Sequence, residues 1–249
     1  EWLCGVTLDQ QRGAVWAPIY HRQASGAFDT SRLASVDLAS GAVRYVAGSH
    51  FPLTPFLDAR TGTLYAGNSA DPSLLVVNVQ SGQGTDAVPV AAQVNRLATS
   101  TVNGDLYMAA VETNMFTVFD PAARKVVAEL KVGQQPWGVA AEPSTGMVLV
   151  SAEGSGHASL VDPRTNTVVR TYATGRHPHD VACGGPDRHC FVLNSADRTI
   201  TTVDTASDRT VTSAMLPGED PLTAMAVAPK TGRVFVVSKR QVFVLDEAT

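Results

Sequence analysis

The chain lacks what several functional classes need. Lys and Arg total 19 against 23 Asp and Glu, a net charge of −4. No basic excess is available to face a phosphate backbone, so no nucleic-acid partner is expected. No apolar run reaches the ~18 residues of a membrane-spanning helix, so no such span is expected. Charged residues are scarce at 17% while hydrophobic ones make up 44%, which excludes a disordered chain. There is no Gly-x-Ser-x-Gly elbow, no phosphate-binding loop and no His-Glu-x-x-His, so the signatures of serine hydrolases, nucleotide hydrolases and zinc peptidases are missing. With only three cysteines and no Cys-x-x-Cys-His, covalent haem is not signalled.

What the chain does have is a repeat. The stretch 133–175 reads as four short strands separated by turn-formers: Pro143 to Gly146, Gly154 to Gly156, and Pro163 to Asn166. The third strand closes on a polar residue, and that residue recurs as Asp37, Asn78, Asp120, Asp162, Asp204 and Asp246. The spacing is 41 once and 42 thereafter. A period of this size with strand character means a propeller or a solenoid, and four strands per unit favour a propeller blade. The recurring carboxylate has a structural explanation. It can hydrogen-bond backbone two residues on and hold the turn into the fourth strand.

A second marker keeps the same period. Gly13, Gly62, Gly104, Gly146 and Gly232 occupy the turn between the first two strands, and Arg188 fills that slot in the fifth repeat. Glycine there permits the positive φ of a tight hairpin. The expected fold is all-β: a β-propeller of about six four-stranded blades, covering 1–49, 50–92, 93–133, 134–175, 176–218 and 219–249 as one domain. The last repeat stops after its third strand, and no spare strand precedes the first. The alternative is a piece of a seven-bladed ring. The chain begins at Glu1 rather than Met, which fits either a removed signal peptide or an excised fragment.

Tyr65-Ala66-Gly67-Asn68 and Phe191-Val192-Leu193-Asn194, the latter followed by Thr202-Val203-Asp204, resemble the YVTN family of β-propeller repeats. The Gly-x-x-Pro elements Gly133–Pro136 and Gly175–Pro178 fit as well, and the match spans nearly the whole chain. That family includes secreted and surface-layer binding proteins. Its relatives include lactonases, streptogramin lyases and propeller subunits of redox enzymes. The resemblance implies a fold and does not choose among these functions.

In a propeller, the blade-to-blade loops and the loops between strands two and three emerge on one face, around the channel mouth where ligands bind by default. Four of the six histidines, or five with His21, align to that face, and only His189 does not. The ligand-binding candidates there are His50, Arg96, Glu112, Trp137, His177 and Asp197. The densest polar cluster is Arg176-His177-Pro178-His179-Asp180. Strand alternation would point His177 and His179 the same way. If the protein is an enzyme, His179 and Glu153 are the expected catalytic pair. His179 beside Glu153 or Asp197 would serve general acid–base chemistry or hold a divalent metal. Trp137 fits either a stacking role on a ligand or blade packing.

Two function classes remain open. The first is a secreted or periplasmic binding module that presents this face to a small ligand, a glycan or a protein. The second is a lyase- or lactonase-type enzyme at the same face. Cys183 and Cys190 flank the turn 184–189 on facing strands, which suits a disulfide and an extracellular or periplasmic location. The other reading is two buried thiols. Cys4 is left over.

Overall fold

The computed structural model describes residues 5–22, 28–46, 52–68, 71–84, 87–207 and 209–246. The fold is all-β, with a single short 3-10 turn, Val111–Thr113, among the described residues. It is a β-propeller built of antiparallel blades. Contacts cluster into two compact units, Glu1–Asn95 and Arg96–Thr249.

The first unit holds two blades. Blade one pairs Thr7–Asp9, Ala14–Arg22, Phe28–Asp37 and Val43–Tyr45 in sequence order. Blade two pairs Phe56–Asp58, Thr63–Gly67 and Ser73–Asn78, and its outer strand comes in two pieces, Gln83–Gly84 and Val88–Pro89, both bonded to the third strand. The second unit holds three four-stranded blades. Their inner strands are Arg96–Thr99, Pro136–Ala141 and Pro178–Gly184. A last blade of Leu222–Val227, Val234–Ser238 and Val242–Leu245 has three strands among the described residues, as the sequence led us to expect.

In blades two to five the second strand is buried on both faces. Leu106–Ala110 and Val148–Ala152 are buried at every position. The outer strands face solvent, as in Lys125–Leu130. Each core cluster is shared between consecutive blades. Tyr107, Phe116 and Val118 pack with Val148, Val150 and Val161, and Leu149, Leu160 and Tyr172 pack with Val181, Val192 and Val203.

The polar punctuation does what the sequence suggested. Asp37, Asn78, Asp120, Asp162 and Asp204 each accept a backbone N–H two residues on, at 2.8–3.1 Å. Hydrogen bonds from the Ser40 and Ser207 hydroxyls first, and then from the turn N–H groups, hold the Asp37 and Asp204 carboxyls below their ordinary range. A second set of caps escaped the sequence reading. Four residues before the turn glycine stand Asp9, Asp58, Ser100 and Glu142, each accepting a backbone N–H from the turn. Glu142 is almost fully buried and takes four hydrogen bonds, from the N–H and hydroxyl groups of Ser144 and Thr145. Burial alone would raise its carboxyl; the four bonds overcome that and hold it below its ordinary value.

All five turn glycines have positive φ, and so does Arg188, at 62°. A side chain in the left-handed region is strained, and among the described residues no hydrogen bond of the Arg188 side chain offsets it. Arg188→Gly should therefore stabilise the protein by about 0.5–1 kcal/mol, net of the extra chain entropy of glycine. Denaturant unfolding of the two forms measures it.

Glu142 gives a pH-dependent prediction. Its folded-state pKa is depressed, so its stabilisation is complete above the ordinary carboxylate value and is lost as pH falls through the folded one. Glu142→Gln should cost about 1–3 kcal/mol at neutral pH, since an amide cannot accept all four bonds. The gap to wild type should close in acid. A gap that stays constant with pH would refute the assignment.

Candidate functional site

The site lies in the second unit, where the inner strands of its blades begin. In blades four and five the first strand starts with the same irregularity. The pairing register shifts between Pro136 and Val139, and again between Pro178 and Asp180. A bulge of this kind re-aims the side chain it carries. The residues inside the two shifts include Trp137 and His179, forty-two apart. Their rings stack, with centroids 4.7 Å apart and planes 27° from parallel.

Gly138 makes that contact reachable. A Cβ there would sit 2.6 Å from the backbone nitrogen of Val181 and 2.8 Å from the carbonyl carbon of Asp180. Only glycine lets the two inner strands approach so closely. Ser151 accepts the Gly138 N–H at 2.9 Å.

Both histidines converge on Glu153. His177 Nδ1 is 2.9 Å from Glu153 Oε1, and His179 Nδ1 is 3.6 Å from Oε2. The expected catalytic pair is therefore brought together, with His177 as a third member. The reason given from the sequence needs correcting. Strand alternation does not produce this arrangement, because His177 lies outside the strand in a left-handed conformation at φ 51° and His179 sits in the bulge. Gln135, one repeat earlier, has the same φ of 51°. The turn is part of the blade-to-blade connection, anchored by Ser195 N–H to His177 O at 2.9 Å and by Glu153 N–H to Gln135 O at 3.0 Å.

Asp197 takes a different partner from the histidines. It accepts the Arg176 backbone N–H at 2.6 Å and its Nε at 2.7 Å. The Arg176 bonds hold the Asp197 carboxyl below its ordinary range and raise the guanidinium in turn. Arg96 stands over the Trp137 ring, 6.0 Å from its centroid. Sequence reasoning placed Asp180 in the polar cluster without a role. Burial pushes its carboxyl above the ordinary range, opposed by Arg96, by the N–H groups of Met225 and Val181 at 2.9 and 3.0 Å, and by His179. Asp180 thus ties blade five to blade six beneath the cluster.

One donor in the cluster is unsatisfied. The Trp137 indole Nε1 is buried and has no hydrogen-bond partner. Burying an N–H without an acceptor costs about 1–3 kcal/mol.

The remaining candidates stand apart. Glu112 is exposed in the 3-10 turn Val111–Thr113 and makes no ion pair with another described residue. His157 bonds the carbonyl of Val132 at 3.0 Å, a packing role. His50 and Cys4 lie outside the described residues, as does the side chain of His21. Among the described residues no three His, Cys, Asp or Glu side chains are placed to hold a metal ion. Cys183 and Cys190 are directly opposite in the hairpin and form a disulfide.

No family model matches the chain, and no curated protein matches it by sequence. Among solved structures, 1365 chains match, so the fold likeness is too widespread to select a function. One match is to the Kuenenia stuttgartiensis hydrazine synthase. It has a TM-score of 0.67 and 20% identity, over 82% of this chain and 70% of that one. The two share a fold. At that identity the likeness carries no residue roles and no activity from one protein to the other.

The disulfide closes a short loop and should stabilise the folded chain by about 2–3 kcal/mol on the loop-entropy estimate. Protein purified without reductant should gain the mass of two hydrogens on reduction, and should then unfold at lower denaturant. Free thiols at both positions before reduction would refute it.

Proposed function

We propose that this chain is a YVTN-like binding propeller, secreted or periplasmic, that captures a ligand at the Arg96–Trp137–Glu153–His177–His179 cluster. The observation that carries the reading is the buried, unpartnered Trp137 Nε1 beside two histidines that flank one carboxylate, His177 bonded to it at 2.9 Å and His179 3.6 Å away. A ligand bearing an acceptor would satisfy the indole N–H. Its planar part would find Arg96 and the Trp137–His179 stack. The exposed His177 and the Arg176–Asp197 pair form the rim. Small ligands and glycans fit these groups, and a partner protein's polar loop would use the same ones. The Cys183–Cys190 disulfide supports an oxidising compartment.

A second reading is favoured by one observation, the Glu153 carboxylate between two imidazoles. In an enzyme of the lyase or lactonase type, His179 would move a proton to or from the substrate and Glu153 would hold its ring in orientation. As proposed, this step runs on side chains alone and needs no divalent metal.

The decisive comparison is between wild type and the double variant Glu153→Ala/His179→Ala, applied to a glycan array and to a panel of simple lactones. Under the binding reading the wild type retains specific glycans and the variant loses them by about tenfold or more, with its unfolding midpoint little changed. Turnover of a lactone by wild type alone would favour the enzyme. Equal retention by both proteins would refute the proposed site.

A further inference from the structure

The first unit carries a separate cavity of about 230 Å³ between its two blades. Trp16, Ser35 and Arg44 form one cross-strand row on the face of blade one, with Trp16 opposite Ser35 and Ser35 opposite Arg44. Arg12 and Ala14 close one side, and Val79 of blade two closes the other.

The repeat explains why the space exists. The corresponding rows are Tyr107–Val118–Ala128 in blade three and Leu149–Leu160–Arg170 in blade four. Their middle positions, Val118 and Leu160, carry a branched apolar side chain packed against the next blade, and blade five carries Thr202, also branched at Cβ. Blade one has Ser35 there instead.

The first position in the row is equally telling. Tyr107 hydroxyl meets Asn103 and Asn166, and Tyr65 hydroxyl meets Thr63. Leu149, Phe191 and Phe235 have nothing to satisfy. Trp16 is 3% exposed, and its indole Nε1 is buried with no partner. Of these six equivalent positions it alone holds an orphaned donor.

We propose that this cavity binds a small organic carboxylate. The Ser35 hydroxyl and the Arg44 guanidinium are donors at the cavity wall, with the Trp16 N–H buried next to them; Arg12 also lines the space but holds Asp9 Oδ2 at 3.1 Å, and guanidinium suits a carboxylate's two oxygens. The one lining carboxylate, Asp37, has its Oδ1 taken by Ala39 N–H and by the N–H and hydroxyl of Ser40. Arg44 offsets its charge. The indole and Val79 supply apolar walls for the ligand's body. The volume exceeds the ~150 Å³ that accommodates benzene and falls below that of drug-sized pockets, so the ligand is of fragment size.

The test uses benzoate as probe, followed by NMR of the indole N–H signals, with Trp16 assigned by its loss in Trp16→Phe. Benzoate should shift the Trp16 signal saturably. Ser35→Val installs the residue type of the sibling blades, so it should fold normally and weaken benzoate at least about tenfold. Arg44→Gln should weaken it as well. A Trp16 signal unmoved by millimolar benzoate overturns the proposal, as does unchanged affinity in a folded Ser35→Val protein. Sulfate binding as tightly as benzoate would overturn the choice of a carboxylate. None of these outcomes involves the Trp137–His179 cluster, so the two sites succeed or fail separately.

Discussion

The structure depends on a second strand that is buried on both faces. Leu106–Ala110 and Val148–Ala152 have no solvent side, so each needs a neighbouring blade over it. A single blade could not bury such a strand, and an isolated sheet with two apolar faces would aggregate. Stacking resolves this by sharing each core cluster between consecutive blades. Stability is therefore close to a sum of blade interfaces, as in other repeat proteins.

That constraint also dictates where the polar residues go. With both faces of the middle strands apolar, carboxylates are confined to turns and strand ends, where they cap backbone. The recurring Asp was legible in the sequence because its residue type barely changes from Asp37 to Asp204. The second cap was hidden, although Asp9, Asp58, Ser100 and Glu142 keep register just as strictly. Three different residue types do that work, and a pattern of shared chemistry without shared identity is hard to see by eye. Arg188 was visible as an exception to the glycine rule. Only its φ of 62° shows that the backbone kept the turn and left the side chain to bear the strain.

The candidate site was half legible for a related reason. Fixed repeat spacing put His177, His179, Glu153 and Trp137 in comparable loops, and the structure joins them. What spacing could not supply was the bulge at the head of the inner strands of blades four and five. Two-residue alternation describes regular strands, and these strands begin irregularly. Asp197 shows the limit from the other side. It belongs to the same loop family, yet Arg176, one residue before His177, reaches it through both its backbone N–H and its side chain. A sequence gives proximity of loops; which carboxylate meets which cation is decided by turn geometry a few tenths of an ångström at a time.

Within one chain, repeated blades separate shared architecture from invested function. Where a position repeats its role in every blade, the fold accounts for it. Where one blade departs from its siblings and leaves something unsatisfied, the fold does not. Trp137 and Trp16 are both such departures: each brings an indole N–H to a buried position without an acceptor. An orphaned donor costs free energy that a phenylalanine would not, since the ring could pack equally well without the nitrogen. Repetition supplies the comparison that a unique fold would lack, because the sibling blades show what the same position looks like when packing alone governs it. At the row headed by Trp16 they show tyrosines with partners or residues with no donor at all. The two tryptophans are therefore the positions that packing alone leaves unexplained, which is why both proposed sites are centred on them.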